Sequence, residues 1–253
     1  MVEVGAVTLV SLVAGFVNSI AGGGGLVSLP ILFGLFPAAP PATLFGTNKA
    51  AMVWGTSWAG AVYARRVRLP WATLLPALVA ALVGGVVGAR LVTLVSPDWL
   101  RRLLPALLGA VLVVIVRQPD LGNVHAPRHP GRREAALATG AGAVLGLYDG
   151  FFGPGTGSFF IFFFVRVLGF DFLNAVACSK LLNAATNLGA LATFGWSGHV
   201  WWQFMLPMAL ANVAGSAAGA RLAMKHGSPF IRGVFVAVVG CLILKAGYDG
   251  YLR

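Results

Sequence analysis

Acidic residues are scarce: seven Asp and Glu stand against 18 Lys and Arg in 253 residues, and charged residues of both signs make up only 10%. A water-soluble domain carries about 25% charged residues, so this chain lacks the polar surface to face water on every side. Cysteine is scarcer still. Cys178 and Cys241 each sit alone in an apolar stretch, which excludes a disulfide framework and a thiolate metal site. The four histidines fall in connections between apolar runs, and no cluster has metal-ligand spacing, so no metal is expected. A Walker loop and a nucleophile elbow are missing too. The glycine run at 22–25 follows an apolar stretch rather than a strand, so dinucleotide binding does not apply and no cofactor is implied. No Lys or Arg precedes the first apolar run, and no small-residue cleavage site follows it. That run reads as a retained helix rather than a signal peptide.

What remains is hydrophobic: 58% of residues are apolar and the mean hydropathy is +0.86. Five apolar segments occupy the first half, at roughly 4–21, 26–36, 44–64, 72–95 and 100–116. Five more follow at roughly 135–152, 157–169, 173–194, 203–224 and 230–247. Several approach the ~20 residues needed to cross a bilayer. The fold class is all-α, a polytopic membrane protein. The second segment of each half is short and flanked by glycine, hence a thin span, half of a broken helix or a re-entrant hairpin.

The halves repeat. A shift of 131 residues without a gap lays Gly15 on Gly146, Gly22 on Gly153, Gly24 on Gly155 and Lys49 on Lys180. It lays Trp71 on Trp202, Pro76 on Pro207, and Gly84-Gly88-Ala89-Arg90 on Gly215-Gly219-Ala220-Arg221. Matched Gly, Pro, Trp and charged residues are not a by-product of hydrophobicity, so the chain is one duplicated transmembrane domain, with a site expected where the halves meet. The repeats run about 4–116 and 135–247, joined by a polar, Pro-rich linker at 117–134.

A net charge of +11 does not indicate nucleic acid, because the basic residues cluster in short connections, as on the cytoplasmic side of membrane proteins. Arg65-Arg66-Val67-Arg68 follows the third segment of the first half, whereas its counterpart, Trp196 to Trp202, has no Lys or Arg and reads as an interfacial aromatic belt. Placing the basic stretches and the linker in the cytoplasm requires an odd number of crossings per half. Five plus five inverted repeats follow, with Arg101 and Arg102 on the outer side as the discordant feature.

The residues that carry chemistry group around the glycine runs. Asn18 precedes Gly22, Gly23, Gly24 and Gly25, and Thr47-Asn48-Lys49 opens the next segment. In the second half Asp149 precedes Gly153, Gly155, Thr156 and Gly157, and Ser179-Lys180 is followed by Asn183 and Asn187. Glycine runs let main-chain N–H groups approach a ligand, and a run that opens a helix favours an anion. Glycines in membrane helices also serve as close-packing devices, and Lys49 stands where it can snorkel. A Lys at mid-bilayer costs about 2.5–3.5 kcal/mol, so two at matched positions imply use or a partner. Asp149, opposite Asn18 in the repeat, caps the glycine turn, neutralises Lys180 or carries a coupling proton. Arg90 and Arg221 either end their helices at the headgroups or contact a ligand.

These motifs resemble the sulfite exporter TauE/SafE family. The similarity rests on Gly15-Phe-Val-Asn18-Ser-Ile-Ala-Gly-Gly-Gly-Gly, Pro30 and Gly46-Thr-Asn-Lys49, then on Gly146-Leu-Tyr-Asp149-Gly-Phe-Phe-Gly-Pro-Gly-Thr-Gly157 with Ser179-Lys180 and Asn183. It covers nearly all of the chain outside the linker and the last few residues. The resemblance implies a bacterial-type inner-membrane permease, not an enzyme, for a sulfur-containing anion such as sulfite, a sulfonate, sulfoacetate or thiosulfate. It carries the site to Gly22–Gly25, Asn48, Lys49, Gly153–Gly157, Ser179 and Lys180. The family is usually described as four plus four helices. A small anion and the bilayer are the implied partners, and a homodimer is admissible. An anion channel, or an intramembrane enzyme or assembly factor using Cys178, are the competing readings.

Overall fold

The computed structural model describes residues 2–92, 124–129 and 131–251. Among them lie eight helices and no strand: α1 (Val2–Ala21), α2 (Gly24–Leu35), α3 (Pro41–Ala64), α4 (Trp71–Leu91), α5 (Arg132–Phe151), α6 (Thr156–Phe163), α7 (Phe172–Trp196) and α8 (Trp202–Tyr251). The segment expected at 100–116 and the start of the linker lie outside the described residues. The expected linker end at 134 is corrected. Helix α5 begins at Arg132, directly after Gly131 (φ 79), and Glu134 is buried, accepting a 2.8 Å bond from Thr73 Oγ1. The segments expected at 203–224 and 230–247 are the two helical stretches of α8, separated by a kink at Gly227, whose φ 71 and ψ −165 are not helical.

Local chemistry sets these boundaries. Pro41 opens α3, a position where the missing N–H costs nothing. Asp171 caps α7 by accepting from Asn174 N at 2.8 Å, the side-chain bond that a helix start requires. Helix α6 continues through a π turn at Phe164–Leu168, which Gly169 ends at φ 80. Trp71 and Trp202 start α4 and α8 and Trp196 ends α7; all three are exposed, as expected of interfacial anchors. Helices α1 and α4 are long and apolar enough to span a bilayer. The mean hydropathy of α3 and α7 is lowered by the polar residues they bury, among them Asn48, Lys49, Lys180, Asn183 and Asn187. At 12 residues, α2 is about 18 Å long, shorter than the hydrocarbon thickness.

The 131-residue period survives into the packing. Helix α1 lies against α8 and α5 lies against α4; α3 packs on α8 and α7 on α4; α3 and α7 pack on one another. Exchanging the halves maps each of these pairs onto another member of the set. Individual contacts obey the same exchange. A Cβ on Gly15 would stand 2.3 Å from the Asn212 carbonyl oxygen, and one on Gly146 would stand 2.6 Å from that of Ala81, and 212 lies 131 beyond 81. Small residues thus let the backbones approach closely enough for dispersion to hold the helices in lipid. Polar bonds reinforce the α1–α8 seam, with Ser11 Oγ donating to Met208 O at 2.8 Å and Asn212 Nδ2 to Ser11 O at 3.0 Å.

Candidate functional site

Two glycine turns face one another at the centre of this arrangement. Gly22 and Gly23 take φ 79 and 80 before α2, and Gly153 and Gly155 take φ 88 and 84 before α6. This left-handed backbone is accessible to glycine at little cost. The turns touch: a Cβ on Gly22 would lie 2.3 Å from Ser158 N, and one on Gly157 would lie 2.8 Å from Gly22 Cα. Side chains lock the contact. Ser158 Oγ donates to Ala21 O at 2.9 Å, and Ser179 Oγ donates to Gly157 O at 3.0 Å.

Beside the turns lies a buried cavity of about 20 Å³, room for about one water. Gly23, Gly24 and Gly25 line it from the first turn, and Gly153, Thr156 and Gly157 from the second. Helices supply the side chains: Asn18 from α1, Asn48 and Lys49 from α3, Asp149 from α5, Asn183 and Asn187 from α7. Lys49 Nζ meets Asp149 Oδ1 at 2.7 Å, with both groups almost wholly buried. Asp149 Oδ2 also accepts from Thr186 Oγ1 at 2.5 Å. Asp149 therefore pairs with Lys49 and not with Lys180, the partner in one of the roles open to it by sequence. The carboxylate projects from α5 toward α3 of the opposite half, and α7 supplies Thr186 instead.

Other expected residues do not reach the cavity. Gly22 and Gly155 hold the turns, and Ser179 serves their packing. Lys180 is fully buried and its Nζ donates to the main-chain oxygen of Asn18, a cavity residue. Thr47 Oγ1 donates to Thr43 O at 2.7 Å and accepts from Trp201 N at 2.9 Å, so it anchors a connection. Arg90 and Arg221 are exposed at matched positions, and Cys178 is buried without lining the cavity.

Several polar partners escaped the sequence reading. Thr186 holds Asp149; Thr56 Oγ1 accepts from Asn18 Nδ2 at 3.0 Å; Ser28 Oγ donates to Asn48 Oδ1 at 2.6 Å. Met52 and Leu29 add apolar lining. The signal for two of them was helical spacing. Lys49, Met52 and Thr56 recur as Lys180, Asn183 and Asn187, one stripe in each third helix.

The arrangement suits an oxyanion: helix starts offer N–H groups, Asn48, Asn183 and Asn187 offer amides, and an ammonium stands within the lining. Among the described residues no group of His, Cys, Asp and Glu is placed to hold a metal ion. The model of the family described as sulfite exporter TauE/SafE matches residues 7–246. The chain belongs to that family. Members similar to it include a protein of Sinorhizobium sp named probable membrane transporter protein ORF9, 37% identical over 92% of this chain and 88% of its own. The probable membrane transporter protein YfcA of Escherichia coli K12 is 35% identical over 98% of this chain and 90% of its own. A probable membrane transporter protein of Haemophilus influenzae is 32% identical over 95% and 92%. No solved structure gives a significant match. Membership makes the chain a helical, multi-pass membrane transporter.

Proposed function

We propose that this TauE/SafE family member is a secondary permease that exports a small sulfur-containing oxyanion, such as sulfite, a sulfonate or sulfoacetate. One observation carries the reading: the Lys49–Asp149 pair and both glycine turns, drawn from opposite halves, line the same buried cavity. The cavity as it stands has room for about one water, so an anion enters it only as the halves part. Held there it touches both repeats, and rocking one half against the other exposes it to alternate sides. The exchange symmetry of the helix pairs supports a two-fold relation between the repeats. The charge pattern of their loops supports inversion, with short re-entrant α2 and α6 and a cytoplasmic linker in a bacterial-type inner membrane. An inside-negative potential favours outward movement of an anion by about 2.3 kcal/mol per charge per 100 mV, so export needs no coupling ion.

The test is a thermal-shift screen of purified protein against sulfite, thiosulfate, sulfate, taurine and sulfoacetate, followed by flux in proteoliposomes. Saturable efflux, accelerated by the same anion on the trans side, is the expected result. Flux that never saturates assigns a channel instead, and no stabilisation by any sulfur anion removes the reading.

A further inference from the structure

The repeat that aligns Lys49 with Lys180 also aligns Asn18 with Asp149, and the structure joins these four residues crosswise. Lys49 of the first half reaches residue 149 of the second; Lys180 of the second half reaches residue 18 of the first. The two pairings join equivalent residues of the repeats through different atoms. Lys49 finds a carboxylate oxygen at 2.7 Å, whereas Lys180 finds a main-chain carbonyl oxygen, on a residue whose own side chain is a neutral amide.

The amide is not idle, since Asn18 Nδ2 donates to Thr56 Oγ1 at 3.0 Å and the residue lines the cavity. Among the described residues no carboxylate lies within ion-pair distance of Lys180. The other buried carboxylate among the described residues, Glu134, is engaged by Thr73. Counting both lysines as protonated, the cluster of Lys49, Lys180 and Asp149 holds two ammoniums against one carboxylate, a surplus of one positive charge beside the cavity and held out of water. A buried charge without a counter-charge is unfavourable, and the field of an ammonium in a low-dielectric interior extends well beyond its contact partner.

From this asymmetry we infer that Asn18 is a specificity-determining residue: by withholding the second carboxylate it leaves one positive charge for the substrate to balance, so the site selects singly charged anions of the sulfonate type over doubly charged ones. A monoanion beside Asn18 brings the cluster to neutrality, and a dianion carries it past neutrality into a buried excess of negative charge. The selection is thus a repulsive device as much as an attractive one. It rests on the permease reading and narrows it: among the anions named there it favours a simple sulfonate over sulfoacetate, which carries two charges at neutral pH.

Methanesulfonate and sulfate are matched tetrahedral probes that differ by one charge. Calorimetry or ligand-induced thermal shift on the purified full-length protein at neutral pH should show the wild type preferring methanesulfonate at least tenfold. Asn18→Asp should weaken methanesulfonate binding at least tenfold, because both lysines then have carboxylates. Asp149→Asn should narrow or reverse the preference. The decisive variant is the double exchange Asn18→Asp/Asp149→Asn, which moves the carboxylate to the other half and keeps the net charge; it should restore the wild-type ranking. Equal wild-type affinity for both probes overturns the inference, even if other sulfur anions bind and the permease reading stands. So does an Asn18→Asp protein that binds as the wild type does, or a folded double exchange that binds no better than the weaker single variant. A wild type that binds no sulfur anion at all overturns the permease reading and this inference together.

Discussion

Gly22 and Gly157 lie backbone against backbone, with a Cβ placed on Gly22 falling 2.4 Å from the Gly157 carbonyl carbon. This contact fixes the distance between the two turns, and with it the width of the cavity. Gly22→Ala should be among the most damaging small substitutions in the chain. The left-handed backbone at φ 79 disfavours a Cβ by roughly 1–2 kcal/mol, and the clash adds to that because Ser158 N and Gly157 are main chain. Gly140, in α5 with open space around it, is the control; Gly140→Ala should be neutral or slightly stabilising. Thermal denaturation in detergent compares them, and a Gly22→Ala protein as stable as Gly140→Ala contradicts the packing described.

Truncating either member of the Lys49–Asp149 pair strands the other charge in the interior. Lys49→Ala and Asp149→Ala should each cost about 3–5 kcal/mol, while Lys49→Met/Asp149→Leu should recover most of the stability. Transport should be lost in Lys49→Ala and in the double variant, because neither has an ammonium in the cavity lining, which Lys180 does not reach. Recovery of flux along with stability would show that the pair is structural only.

Thr186 provides a finer probe of the same carboxylate. Thr186→Val keeps the side-chain shape and removes the donor to Asp149 Oδ2, at a cost of about 1.5–3 kcal/mol for a bond to a charged group. Thr139→Val removes a hydroxyl bonded only to Ala135 O one turn back in its own helix, and should change little. Equal melting temperatures for the two variants would remove Thr186 from the polar cluster.

The matched seams predict matched sensitivities. Gly15→Leu separates α1 from α8 and Gly146→Leu separates α5 from α4, through equivalent contacts. Both should reduce the folded yield by a similar factor, measured by fluorescence-detected chromatography of tagged protein. A tenfold disparity would mean that the halves do not share the load as their geometry indicates.

Cys178 separates a carrier from an enzyme. The thiol is buried and stands outside the cavity lining, so Cys178→Ser should transport within about twofold of the wild type once corrected for folded protein. A complete loss of function in a stable variant would instead favour thiol chemistry.

The repeat, the helix order and the glycine turns were legible in the residues because each depends on a residue type with few substitutes. Pro41 and Trp71 start their helices 131 residues before Phe172 and Trp202 do. The location of Asp149 in a buried cluster was legible too, since a carboxylate in an apolar run needs a partner. Which lysine it meets was not. Lys49 and Lys180 are equivalent by sequence, and only the crossed packing of α5 on α4 and α1 on α8 decides between them. Thr186 was hidden for a related reason: its repeat counterpart is Gly55, so the period that exposed the other site residues is silent there.

The crossed packing bears on biogenesis. Helix α4 leans on α5 and α7, and α1 leans on α8, all from the second half. A nascent chain that has delivered only its first four helices to the lipid therefore has Lys49 without Asp149 and Gly15 without Asn212. Assembly must wait for translation of the C-terminal half. A ribosome stalled near residue 130 should leave an intermediate dependent on the insertion machinery or on quality-control proteases, and co-expression of the two halves as separate polypeptides should rescue each from degradation.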